Sequence, residues 1–185
     1  MNRAQTAMQD MPARQPCLPL LDPGAIDAQL AQVFDSASRA PGHGNSRPWE
    51  FVFVRGEARG LLAGMLVEAA RKRMPEAPDT ALRSYGARAR LAPLVIALGA
   101  NARIQREVPE AEQMLAAGAV AMNVINSVHT LGYGAFWAAG VQQVDDHLVA
   151  ALGFREQVRL AGFVFVGSPG RAGISSRRAH CRAGG

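Results

Sequence analysis

Arg39-Ala40-Pro41-Gly42-His43-Gly44-Asn45-Ser46-Arg47-Pro48-Trp49-Glu50-Phe51 is the stretch in which the chain turns from helix to strand. Before it, Ile26, Leu30, Val33, Phe34 and Ala37 recur at helical spacing, which predicts a helix with one buried face. Asp22-Pro23-Gly24 predicts where that helix starts, since Asp accepts from free backbone N–H groups and Pro suits the first turn. Pro41-Gly42 stops it. Residues 44–49 then read as a Gly/Asn/Ser/Pro loop, and Glu50 to Arg55 as a strand of apolar and β-branched residues.

Downstream, a helix is predicted from about Glu57 to Lys72, with Leu61, Leu62, Met65, Leu66 and Ala69 on one side. Pro75 and Pro78 open a polar connection, expected to be mobile and a candidate lid, and a short helix follows to about Arg90. Pro93 to Gly99 is too continuously apolar to be half exposed, so it reads as a central strand. The longest helix runs from Glu110 to Leu131 and stops at Gly132. It is apolar almost all round from Met114 to Ile125, with Ala116-Ala117-Gly118-Ala119 in succession, so it must be buried in the core or against a second subunit. Small residues allow close helix approach, and a subunit interface is the expectation. Gly134 to Ala138 is a short strand, Asp145 to Leu152 a helix closed by Gly153, and Arg159 to Gly167 the last strand. Residues 1–21 read as irregular, with 1–13 flexible, and 171–185 as a basic tail.

A chain of 185 residues, 49% hydrophobic, fits a single domain spanning 1–185 with a real core. Of its 20 basic residues, 19 are Arg and only Lys72 is Lys; they are spread along the chain, so the net charge of +5 is not a nucleic-acid signature. Cys17 and Cys181 form neither a metal-ligand spacing nor a disulfide framework, which suits a reducing compartment. The opening residues lack the apolar core of a signal peptide, and no apolar run is long enough to cross a bilayer. A cytoplasmic protein with no metal, no membrane and no nucleic-acid partner is expected.

The segment 39–51 resembles the signature loop of the nitroreductase family, in which a helix ends in Ala-Pro and a Gln-Pro-Trp-x-Phe segment enters the first strand. Glu112-Gln113 with Gly118, Gly132-Tyr133-Gly134 with Trp137, Leu152-Gly153, and Gly162 to Pro169 follow in the family's order. The similarity spans roughly residues 14 to 170 and is greatest to the small, minimal subgroup. It implies an α+β nitroreductase-like fold, a central mostly antiparallel sheet flanked by helices, and a homodimer holding flavin mononucleotide (FMN) at its interface. The implied reaction passes hydride from NAD(P)H through the flavin to a small-molecule electron acceptor such as a nitroaromatic or quinone. The cofactor carries the chemistry, so no catalytic acid or nucleophile is required.

The same resemblance nominates cofactor-binding positions. Arg14-Gln15-Pro16 aligns with the triplet that grips the flavin phosphate. Arg14 keeps its guanidinium, whereas Gln15 replaces a cation, and Pro16 removes a hydroxyl and a backbone donor. Arg39, His43 and Asn45 align with contacts from the signature loop, and Arg39 has the alternative role of pairing with the last helix carbonyls. Trp137-Ala138-Ala139 aligns with a Trp-Arg-Ser type segment: Trp137 packs on the flavin ring or in the core, and the alanines offer only backbone groups. Ser127 matches a position near the nicotinamide, with core or interface packing as its alternative. Arg171 lies one place from the basic residue that reaches the phosphate in the family. Each lost contact costs roughly 0.5–3 kcal/mol, so a competing expectation is a dimer of this fold whose flavin site is weakened or lost and which acts as a ligand-binding or regulatory protein.

Overall fold

Strand β3 (Leu94–Asn101) is buried at every position and sits in the middle of the sheet. Its neighbours are β2 (Trp49–Arg55) on one side and β5 (Val158–Pro169) on the other, both antiparallel. β5 also pairs antiparallel with β4 (Gly134–Ala138) and, near its end, with the two-residue β1 (Leu20–Leu21). The computed structural model describes residues 19–41, 47–101, 108–139 and 146–170.

Alternation along β3 divides the core in two. Leu94, Ile96, Leu98 and Ala100 face helices α1 (Asp27–Ala37) and α4 (Glu110–Thr130). Val95 and Ala97 join the opposite cluster, which contains residues of α2 (Ala58–Arg73), α5 (Asp146–Ala151) and the 3₁₀ turn Arg88–Arg90. Helix α3 (Asp79–Ala87) packs on α2 in that second layer. This is the α+β architecture with an antiparallel sheet between helices that the sequence led us to expect.

Helix α4 divides by face. Ala117, Val120, Ala121, Val124 and Val128 are fully buried against the sheet. Leu115 is 75% exposed, and Ala119 and Met122 continue the same stripe half-buried. One apolar side of the helix, with Leu115 at its exposed start, is thus only partly covered by the described residues of the protomer. Gly132 adopts φ +88°, the left-handed conformation that closes the helix.

Three differences from expectation have local causes. Helix α1 begins at Asp27, not at Asp22, because Leu20 and Leu21 are paired with β5 and Ser168 Oγ donates to the Pro23 carbonyl at 2.9 Å. The cap is Gln29, whose Oε1 accepts from the Ile26 N–H at 3.1 Å and from the Tyr133 hydroxyl at 2.7 Å. β1 falls in a stretch read as irregular, since two residues carry no alternation to detect. The Pro75–Pro78 connection is a tight turn, with Ala77 N–H donating to the Met74 carbonyl at 3.0 Å and Arg71 paired to Asp79 at 3.3 Å. It joins α2 to α3, in the layer opposite α1 and α4.

Candidate functional site

The register gathers seven chain segments at one end of the sheet. Trp49 of β2 stands opposite Ala100, Asn101 of β3 opposite Val158, and Ala138 of β4 opposite Phe163. Helix α1 ends here, because Asp27 at its start is paired with Arg55 at the far end of β2, 2.7 Å away. α4 and α5 start here: Arg159 of β5 reaches Glu110 at 3.4 Å and Asp146 at 3.2 Å.

At this end Glu50, with an 18% exposed side chain, accepts from Arg155 at 2.7 and 2.8 Å and from Asn101 at 3.4 Å. One carboxylate therefore ties the entry of β2 to the exit of β3 and to the turn before β5. Beside it lies an open cleft of about 520 Å³ lined by Glu110, Asp146, Val149, Phe154, Arg155 and Arg159 among others. Neither network carries a local sequence signal, since Glu50 and Arg155 are 105 residues apart. An alternating charge at a strand end reads as surface until its partner is known.

Trp137 lies between Gly118 of α4, at ordinary contact distance, and Gly162 of β5, at a distance that admits no side chain. A Cβ at Gly118 of α4 would stand 3.5 Å from the indole, and one at Gly162 of β5 would stand 2.5 Å from Nε1 and 2.6 Å from the Ala138 carbonyl. Gly162 also has φ +140°, beside a register shift in the β3–β5 ladder. The indole packs against the α1–α4 core cluster, and its N–H is buried with no hydrogen-bond partner among the described residues. Of its two expected roles, core packing is the one visible in the protomer. Its position holds the Ala138–Ala139 backbone at the end of β4, where Ala139 is exposed.

Arg39 follows α1 with its guanidinium on Asp35 at 3.1 Å; the side chains are 75% and 70% exposed. The guanidinium does not use the last helix carbonyls; those of Phe34, Ser36 and Ala37 accept from the backbone N–H groups of Ser38, Arg39 and Ala40. An ion pair this exposed is easily exchanged for another anion.

Ser127 lies at the other end of the molecule. It is half-buried near the C-terminus of α4, about 25 Å along the helix from Glu110. That end also holds the meeting of the described termini, where Gly170 N–H donates to the Pro19 carbonyl at 3.0 Å. Arg14, Gln15, Pro16, His43, Asn45 and Arg171 lie outside the described residues. Within one protomer, then, the structure brings Trp137, Ala138, Ala139 and Arg39 to one end and leaves Ser127 at the other. A second cleft, about 370 Å³, lies among Asp22, Ile26, Asp27, Arg55, Arg59 and Pro93 and contains none of the nominated residues.

The sequence model of the nitroreductase family matches residues 22–168. The chain belongs to the nitroreductase family. This nitroreductase is 28% identical over 156 residues to “Putative NAD(P)H nitroreductase YdjA” of Escherichia coli K12, covering 81% of each chain. Its fold is shared with the nitroreductase-like family protein from Bacillus cereus (TM-score 0.78, 18% identity, 97% and 94% of the two chains). It is shared also with the protein from Desulfovibrio desulfuricans described as “a putative nitroreductase in complex with fmn” (TM-score 0.72, 22% identity, 97% and 93%).

Proposed function

We propose that the chain is an FMN-dependent NAD(P)H oxidoreductase that works as a cytoplasmic homodimer and reduces nitroaromatic or quinone-type small molecules. The observation that supports this most directly is the family match across residues 22–168. The named activity of the E. coli relative and the FMN held by the D. desulfuricans protein point the same way.

FMN needs a cation for its phosphate, backbone donors for its ring edge and apolar cover for its face. The residues present suit that demand. Arg39 offers an exposed guanidinium, Ala138–Ala139 an accessible strand end, and α4 a partly covered apolar stripe around Leu115. In this reading Arg14 and Arg171 add positive charge for the phosphate, with Gln15 and Pro16 beside Arg14. His43 and Asn45 add polar contacts from the signature loop, and Ser127 lies toward the nicotinamide. When bound, FMN supplies the two-electron chemistry that links a reduced nicotinamide to the acceptor. The chain's residues bind and orient it, and the second copy of α4 excludes water from it.

The two-ended distribution of Arg39 and Ser127 favours a site completed by two chains. Burying the Leu115 stripe against a copy of itself removes apolar surface from water at roughly 25 cal/mol per Å² and satisfies the sequence's demand for burial on that side. Loss of the family's basic and hydroxyl side chains at positions 15, 16, 138 and 139 lowers the affinity for FMN without changing the class of reaction.

One visible-range absorbance spectrum tests the proposal. Purified protein should be yellow, or turn so with added FMN, and should bleach with NADH or NADPH and recover with a quinone. Protein that stays colourless and refuses FMN would sink it.

A further inference from the structure

The basic residues of this chain are not evenly placed once the fold is known. Residues 71–90, the end of α2 through α3 and the 3₁₀ turn, hold six basic residues and two acidic ones, a net +4. Arg71 is neutralised by Asp79 across the turn. Arg73 and Arg88 are not: neither guanidinium has a carboxylate partner among the described residues. Both instead lie against the ring of Tyr85, with Cζ 5.5 and 4.6 Å from its centroid. Those two distances bound the separation of the cations at 10.1 Å.

We propose that this hairpin binds a phosphomonoester between Arg73 and Arg88 across Tyr85. The proposal is independent of the flavin reading. Each guanidinium lies over the ring with no carboxylate on it, which leaves N–H donors for an anion, and a forked edge matches phosphate oxygens. Two such edges within this span suit one compact dianion. An extended polyanion asks for a row of cations, and the neighbouring Arg71 is occupied by Asp79.

The arrangement is also set before any ligand arrives. Leu82 of α3 is 1% exposed. A Cβ at Gly86 would stand 2.8 Å from Val67 and 3.0 Å from the Ala63 carbonyl, so α3 lies directly on α2 at the residue after Tyr85. The Arg71–Asp79 pair and the Met74–Ala77 turn close the hairpin. Holding two like charges on one ring is opposed by their repulsion, and a shared anion reverses its sign.

The test is calorimetric titration of the full chain, without added FMN, with inorganic phosphate at physiological salt. The proposal expects one saturable site per chain, weakened at least tenfold in Arg73→Gln/Arg88→Gln. The control Lys72→Gln/Arg83→Gln, with the same change in charge, should retain it. Titrations with 2′-AMP and with phosphatidic acid vesicles separate a nucleotide from a lipid headgroup as the source, and either result supports the phosphomonoester chemistry. Absence of saturable phosphate binding, or equal loss in both double variants, overturns it. Melting curves of the variants verify that they are folded.

Discussion

At the scale of single residues, Gly162 and Trp137 decide how β4 ends. A side chain at 162 meets Nε1 and the Ala138 carbonyl, and φ +140° disfavours any residue with a Cβ. Gly162→Ala should therefore destabilise the fold by about 2–4 kcal/mol, combining backbone strain with overpacking, read as a lower urea midpoint. Arg39 should behave oppositely. Its ion pair is exposed, so Arg39→Ala should shift stability by less than about 0.5 kcal/mol. The same change should raise the FMN dissociation constant roughly tenfold, measured by quenching of flavin fluorescence. An unchanged dissociation constant would remove Arg39 from the cofactor site. The signature around Arg39 was legible because Pro and Gly interrupt helix and strand locally. The clamp of Glu50, Asn101 and Arg155 was not, because its members meet only when three strand ends are brought together.

At the scale of elements, β3 and α4 were legible for the same reason: an unbroken apolar run has no solvent-facing register to occupy. The start of α1 was not. Asp22-Pro23-Gly24 is a sound helix start by its own chemistry, but pairing of Leu20–Leu21 with β5 keeps the chain extended and moves the start to Asp27. Local preference lost to a tertiary hydrogen-bond demand. The partly covered stripe of α4 makes its own prediction. Leu115→Arg leaves the protomer core untouched, since that side chain is 75% exposed, yet places a charge in the proposed dimer seam. Sedimentation should show the wild type at about twice 19.6 kDa and the variant at the single-chain mass, with far-ultraviolet circular dichroism unchanged. A variant that stays dimeric would place the seam elsewhere.

At the scale of the whole molecule, cofactor binding and folding are linked. FMN at a hundred times its dissociation constant should stabilise the native state by about 2.7 kcal/mol, or roughly 5–11 °C in melting temperature for a domain of this size. A melting temperature indifferent to FMN would argue for the competing ligand-binding reading. Period, punctuation and apolar runs, all local properties of the chain, determined from the sequence alone the order of the helices and the four longer strands, the buried β3 and the family likeness of the loop after Arg39. Only the tertiary structure decided that Arg39 and Trp137 share one end while Ser127 lies at the other, that Gly162 leaves the room the Trp137 indole fills, and that Arg73 and Arg88 converge on Tyr85. Those are relations between residues on different elements or on either side of a turn, and they are fixed only by close packing of the folded chain.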